Sequence, residues 1–214
     1  MLQAVFFDLD GTLLYTLQDI ANAMNGALRE LGQEAFPLES YKRMIGDGAR
    51  MLCLRAARGD EALAGRIQPL YQARYTAHSL DTTRPYEGIQ EALAALAAQG
   101  ARLFVLSNKP DVNTKQTIAH FFPDGVFTEA LGQLPEFPVK PDPAATLYLL
   151  KKHALDAGRC AFVGDSRNDM LCAVNAELYP AGALWGYRDR AELTQSGAKR
   201  LLASPEELTE LLSL

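Results

Sequence analysis

The chain has 214 residues, enough for one substantial core or for a core domain that carries a smaller one. Apolar residues make up 48% and charged residues 22%, and 21 Lys plus Arg against 26 Asp plus Glu leave a net charge of −5. That balance speaks against binding a nucleic-acid backbone, whose affinity comes from clustered Lys and Arg; an anionic ligand would have to be held locally, by a metal ion, a few basic side chains or helix N-termini.

Ala4-Val5-Phe6-Phe7 is a short apolar run closed by Asp8-Leu9-Asp10-Gly11, as expected of a strand buried on both faces of a parallel sheet. From Leu17 the rhythm changes: Leu17, Ile20, Ala21, Met24, Ala27, Leu28 and Leu31 recur at helical spacing, with Thr16 and Asp19 placed like a capping box and Gly32 as a stop. Helical patterns continue over 38–45, 49–58 and 61–78, jointed at Gly46-Asp47-Gly48 and Gly59, and no convincing strand falls between Leu14 and Thr83. This stretch reads as a helical insert.

Beyond Arg84-Pro85-Tyr86-Glu87-Gly88, strands and helices alternate. Ile89, Leu93 and Leu96 mark a helix face ended by Gly100; 102–106 reads as a strand ending at Ser107-Asn108-Lys109, with a helix over 113–121. A helix over 143–153 has Pro143 in its first turn, where the missing N–H costs nothing. A strand over 160–163 ends at Gly164-Asp165, and a helix over 168–175, a strand near 181–185 and a last helix from Pro205 complete the chain. Strands joined by helical crossovers imply a parallel α/β sheet with right-handed connections.

Cys53, Cys160 and Cys172 fit neither a disulfide framework nor a zinc spacing and are expected to be buried thiols in a reducing compartment. No apolar run approaches the ~20 residues that cross a bilayer, and the first residues lack the layout of a secretion signal. The expectation is a cytoplasmic protein that binds neither membrane nor nucleic acid.

Three of the strands end in polar groups fit for catalysis, at Asp8 to Thr12, at Ser107-Asn108 and at Gly164-Asp165 to Asp169. Open α/β sheets bind ligands outside the carboxyl ends of their strands, so the fold should gather these groups in one cleft. Asp8, Asp10, Asp165 and Asp169 would repel one another there unless a hard cation sat among them, and magnesium, which takes oxygen ligands and shares itself with phosphate, suits the set.

The ordered set resembles the haloacid dehalogenase superfamily. Asp8-Leu9-Asp10-Gly11-Thr12 looks like its first motif, Ser107 like its second, Lys140 in Lys140-Pro141-Asp142-Pro143 like its third, and Gly164-Asp165 through Asp169 like its fourth. Within the superfamily the chain is most similar to phosphoglycolate phosphatases with a helical cap inserted after the first motif. The resemblance implies a Rossmann-like three-layer α/β/α core over residues 1–14 and 84–214, and a helical cap over 15–83. It implies a small phosphorylated metabolite as substrate, 2-phosphoglycolate being the best single guess, hydrolysed with Mg2+ by a monomer or homodimer.

By the same resemblance Asp8 is the nucleophile that forms an aspartyl-phosphate, and Asp10 the acid and then the base, its presence favouring an oxygen leaving group. Asp8, the Asp10 carbonyl and Asp165 would hold the metal, with Asp169 in support. Lys140 would neutralise phosphoryl charge, and Ser107 with nearby amides including that of Asn108 would bind a phosphoryl oxygen. Lys42, Arg43 and Arg50 flank the Gly46–Gly48 joint as solvated charges or as contacts to a substrate carboxylate, Arg50 first among them. Two departures stand out: Tyr15 occupies a place where relatives commonly carry an acid, and Glu177 one where they carry Gly. A pyrophosphatase, a sugar-phosphate phosphatase or a phosphomutase would share this core, and a non-catalytic phosphate-binding domain is the rival of another class.

Overall fold

The computed structural model describes residues 2–213 of the chain. Strand β1 (Ala4–Phe7) is followed by a two-residue β2 (Leu14–Tyr15), then by four helices, α1 (Leu17–Glu30), α2 (Leu38–Met44), α3 (Gly48–Ala56) and α4 (Glu61–His78), and by β3 (Arg84–Pro85). After these come α5 (Ile89–Ala98), β4 (Arg102–Pro110), α6 (Asp111–Phe121), β5 (Glu129–Gln133), α7 (Ala144–Lys152) and β6 (Cys160–Gly164). The chain continues through α8 (Arg167–Asn175), β7 (Tyr179–Ala183), α9 (Arg190–Gln195) and β8 (Arg200–Leu202) into a 3-10 segment, Pro205–Ser213.

Six strands form one sheet in the order β5-β4-β1-β6-β7-β8, and every pairing is parallel. The apolar run at the start of the chain is its centre because only a strand covered on both faces can bury every residue. Its side chains alternate between two layers. Val5 and Phe7 join Ile89, Leu93 and Leu96 of α5 and Leu208 and Leu211 of the last segment. Ala4 and Phe6 face Phe104, Phe162, Leu149 and Cys172, with the Phe6 and Phe104 rings stacked at 4.8 Å. The fold is therefore the expected α/β/α sandwich. Cys53, Cys160 and Cys172 are free and buried, as expected. Among the described residues no helix is long and apolar enough to cross a membrane.

The helices from α1 to α4 carry an apolar cluster of their own, built on Leu17, Met24, Leu28, Leu52, Ile67 and Tyr71. The chain enters and leaves this layer through β2 and β3, an antiparallel ribbon pairing Leu14 with Pro85 and Tyr15 with Arg84. Tyr15 is part of an aromatic joint: its ring lies edge-on to Tyr86 and Tyr187, each at 6.3 Å, and the Arg84 guanidinium covers it at 4.7 Å. Glu177 adopts a left-handed backbone with φ of 60°, which explains why Gly is the easier choice there.

Three elements escape periodicity. β5, α9 and β8 are short, and β5 (Glu-Ala-Leu-Gly-Gln) carries one fully buried apolar side chain, Leu131; both strands sit at sheet edges, where pairing with a neighbour decides the conformation. β4 runs to Pro110 rather than ending at 106, and the final helix is 3-10. Thr16 and Asp19 form no capping box. The Asp19 carboxylate, buried at 2% exposure, instead accepts from the amides and hydroxyls of both Thr82 and Thr83 at 2.5–3.1 Å. It thus ties the first helix of the insert to the strand-side end of the return crossing. Asp19→Ala should lower stability by about 3 kcal/mol, because it strands buried donors, and Asp19→Asn, which keeps one acceptor, should cost less; urea unfolding of the three proteins compares them.

Candidate active site

The register of the central strands sets the site. Phe7 lies level with Val105 of β4 and Val163 of β6, so Asp8, Ser107 and Asp165 all follow within two residues of one line across the sheet. The chain leaves β1 toward β4 and β5 on one side and returns to β6 on the other, which opens the crevice typical of such a switch point. The Asp8 amide donates to the Val163 carbonyl at 2.9 Å and pins the carboxylate at the strand end.

Lys140, in the loop before α7, is the hub. Its buried ammonium donates to Asp8 Oδ1 at 2.7 Å, to Asp169 Oδ1 at 2.7 Å and to the Leu106 carbonyl at 2.8 Å, which uses all three protons. Burial disfavours its charge, but Asp169 and Asp8 outweigh burial and hold its pKa above the usual lysine range. The second oxygen of Asp169 accepts from the amide and hydroxyl of Ser166, closing a capping box at the start of α8. Asp169 therefore has both oxygens engaged by protein donors, which suits a supporting role better than direct ligation.

The acids are in excess. Burial lifts the Asp8 pKa to about 7, against the lowering effect of Lys140 and with help from Asp169 and Asp10. Burial, then Asp169 and Asp8, lift Asp165 well above the ordinary carboxylate range, although the Tyr187 amide, donating to its Oδ2 at 2.6 Å, works the other way. Carboxylate oxygens of Asp8, Asp165 and Asp169 lie within 4.8 Å of one another. Among the described residues, Asp8 Oδ2 and Asp165 Oδ1 have no protein donor. An all-oxygen donor set with free oxygens and uncompensated charge fits a hard divalent cation.

The insert closes over these groups. The chamber, about 70 Å³, has room for roughly five waters at ~10–15 Å³ each. Its floor includes Asp8, Asp10, Ser107, Lys109 and Lys140, and its roof Ile20, Ile45, Leu52, Tyr71 and Tyr75. Side chains below the roof grip the joint between α2 and α3. Asn108 Nδ2 donates to the Gly46 carbonyl at 2.9 Å, Asn168 Nδ2 to Asp47 Oδ1 at 2.6 Å, and Arg188 to the Ile45 carbonyl at 2.9 Å. Asn108 also brackets Lys140, accepting from its amide at 2.8 Å and donating to its carbonyl at 3.1 Å. Its side chain is thus a tie between roof and floor, which leaves its own amide for any phosphoryl contact. Ser107 Oγ is buried in the chamber wall and accepts from the Lys109 amide at 3.2 Å.

Asp8, Asp10, Ser107, Asn108, Lys140, Asp165 and Asp169 all line one chamber. Arg50 does not: it is exposed, 3.4 Å from Glu61, and turned away from the roof, because its place on α3 points it to solvent. Lys42 and Arg43 line a separate surface cleft beside Arg167 and Asp189. Four chamber or latch residues were given no role of their own by the sequence: Lys109, Asn168, Tyr187 and Arg188. Lys109 lies 2.5 Å from Asp10 Oδ1, placed there by the extension of β4 through it. Tyr187 joins the Asp165 carboxylate through its amide to the Thr16 amide through its hydroxyl, which accepts at 2.9 Å.

These pKa shifts carry a sign. A carboxyl raised from 3.8 to about 7 on folding binds more protons in the folded than in the unfolded chain between those values, so metal-free stability falls as pH rises across that window. A divalent cation that pairs with the ionised acids reverses the trend. Magnesium should therefore raise Tm more at pH 8 than at pH 5; thermal unfolding in EDTA and in magnesium chloride at both pH values measures this, and an equal effect at both would remove the acids as its ligands.

The family model for the haloacid dehalogenase-like hydrolases matches residues 5–183. The chain is 30% identical to a phosphoglycolate phosphatase of Colwellia psychrerythraea, covering 99% of this chain and 96% of that one. It is 35% identical to a phosphoglycolate phosphatase of Vibrio cholerae, covering 87% and 86%. Among solved structures, CbbY from Rhodobacter sphaeroides, in complex with phosphate, aligns over 100% of both chains with a TM-score of 0.84 and 25% identity. A phosphoglycolate phosphatase candidate from Lactobacillus delbrueckii subsp. bulgaricus aligns over 98% of both with a TM-score of 0.93 and 28% identity. With its motif residues gathered in one chamber and likeness along nearly its full length, the chain belongs to the haloacid dehalogenase-like hydrolases and resembles their phosphoglycolate phosphatases.

Proposed function

We propose that this phosphatase hydrolyses a small phosphate monoester, 2-phosphoglycolate the best single candidate, through an aspartyl-phosphate on Asp8. The observation that carries the reading is the position of Asp8. One of its oxygens is fixed by Lys140 and the other is free toward the chamber, with Asp10 lining the same space. The relatives named phosphoglycolate phosphatase and the small size of the chamber support the substrate.

In the first half, an Asp8 oxygen bonds to phosphorus while the bond to the ester oxygen breaks, and Asp10 gives that oxygen its proton. In the second, Asp10 takes a proton from water, which attacks phosphorus; the bond to Asp8 breaks and inorganic phosphate leaves. Lys140 holds Asp8 in line and offsets charge on the phosphoryl oxygens, and Ser107 with the Asn108 amide would bind one of them. Magnesium would be held by Asp8, Asp165 and the Asp10 carbonyl, with Asp169 behind them, and would offset phosphoryl charge. The roof covers part of the site and limits its contact with bulk water. A soluble cytoplasmic enzyme fits the absence of a membrane-crossing helix among the described residues and the free, buried thiols.

The purified protein should release phosphate from 4-nitrophenyl phosphate and from 2-phosphoglycolate with magnesium and without any bisphosphate activator, and EDTA should abolish the reaction. Asp8→Asn should lose activity by at least about 10⁴-fold with its fold intact by circular dichroism; a mutant that keeps its rate would remove Asp8 as nucleophile. Gly164→Ala should also lose activity, about 100-fold or more, because the new Cβ would lie 2.2 Å from the Asp169 Cβ and push that carboxylate off Lys140. Phosphate-release assays beside melting curves separate this from unfolding.

A further inference from the structure

Two lysines line the chamber, and they are committed very differently. Lys140 has an acceptor for each of its three protons. Lys109, whose side chain is only 3% exposed, has a single hydrogen-bond acceptor among the described residues, Asp10 Oδ1. The face of the Tyr75 ring lies 5.2 Å from its Nζ. Two ammonium protons therefore have no protein acceptor among the described residues, an arrangement that favours an arriving anion.

The surroundings narrow where that anion comes from. No charged side chain of the helical insert lines the chamber; the roof presents Ile20, Ile45, Leu52, Tyr71, Gln72 and Tyr75. Arg188 also reaches the chamber; two of its five N–H donors are engaged, by the Ile45 carbonyl at 2.9 Å and Glu192 at 3.3 Å, which anchor it at the joint between α2 and α3 and at α9. Lys109 is the cation nearest to Asp10, and Asp10 meets the ester oxygen of the leaving group. Atoms two or three bonds beyond that oxygen fall within reach of Lys109 Nζ.

We infer that Lys109 recognises a carboxylate on the leaving group, so that acid selectivity is set by the end of β4 and not by the basic residues of the insert. The inference rests on the reading of Asp10 as the acid that serves the ester oxygen. In 2-phosphoglycolate the carboxylate carbon stands two bonds from that oxygen. Lys109 keeps Asp10 with one proton and offers the others to the substrate, while Tyr71 and Tyr75 close the space against larger groups. Arg50, Lys42 and Arg43 have no part in this contact.

The test compares 2-phosphoglycolate with ethyl phosphate, which has a methyl group in place of the carboxylate. The wild-type protein should prefer 2-phosphoglycolate in kcat/KM by at least tenfold. Lys109→Met should cut that preference by roughly 10- to 100-fold, the worth of a charge-assisted hydrogen bond, mainly through KM, with a smaller loss on ethyl phosphate. Arg50→Ala should leave the preference in place. An equal loss on both esters in Lys109→Met would overturn the inference, since Lys109 would then only hold Asp10. A wild-type protein with no preference would overturn it even if Lys109→Met failed to fold. Absence of hydrolysis of either ester by the wild type would instead overturn the proposed function, and this inference with it.

Discussion

The structure is organised around an imbalance of charge. Asp8, Asp10, Asp165 and Asp169 meet in a chamber where Lys109 and Lys140 are the lysines that face them. Backbone geometry compels the crowding: β1 lies between β4 and β6, and their register delivers the acids to one edge. Lys140 relieves part of it by binding Asp8 and Asp169 together, and burial first, then the neighbouring acids, still hold the pKa of Asp8 and Asp165 above the ordinary carboxylate range. On the proposed function, the remaining deficit is what a divalent cation and an electrophilic phosphoryl group would supply, the first by ligation and the second by reaction. Energy held as unfavourable like-charge contact without ligand becomes selectivity for the ligand that removes it.

The helical insert answers a different need. Its roof over the chamber is apolar and aromatic, so closing it lowers the local dielectric and strengthens every charge contact beneath. Its grip on the core combines the aromatic joint of Tyr15, Tyr86 and Tyr187 with a few polar bonds, in which Asn108, Asn168 and Arg188 hold the joint at Ile45–Asp47. The polar contacts among these are individually modest, and the apolar cluster inside the insert is separate from the two clusters of the sheet. Tyr187 spans both systems, since its amide holds Asp165 and its hydroxyl takes the Thr16 amide at the start of α1. The residues on either side leave it no freedom: a side chain at Gly186 would fall 2.2 Å from the Asp165 Cβ. The acidic cluster and the entry to the insert are therefore tied through one short segment.

Much of this was legible beforehand. Ala4–Phe7 and Cys160–Gly164 read as buried strands because an unbroken apolar run has few alternatives, and α1 read as a helix because its apolar residues repeat at three and four. β5 and β8 did not read, since edge strands are stabilised by a partner that the local sequence does not name. Thr16 and Asp19 had the spacing of a capping box, yet Asp19 bonds to Thr82 and Thr83, more than sixty positions away in the chain and adjacent in space. Arg50 was a candidate for its place beside the Gly46–Gly48 joint, and the structure turns it to Glu61 and solvent instead of the chamber: which way a helical side chain points depends on what the helix packs against.

The sequence by itself determined which acids and which serine meet at the candidate site, because they follow apolar runs that are written locally as strands, while Lys140, in a loop, was legible through its Lys-Pro-Asp-Pro motif. It also determined that the insert is helical. Only the tertiary structure decided who pairs with whom: that Lys140 spends its three protons on Asp8, Asp169 and the Leu106 carbonyl while Lys109 keeps two unspent, and that Asn108 holds the roof. The physical reason is that a residue's charge and size travel with its identity, whereas the partner it meets is fixed by strand register and helix rotation, which are properties of the packed whole.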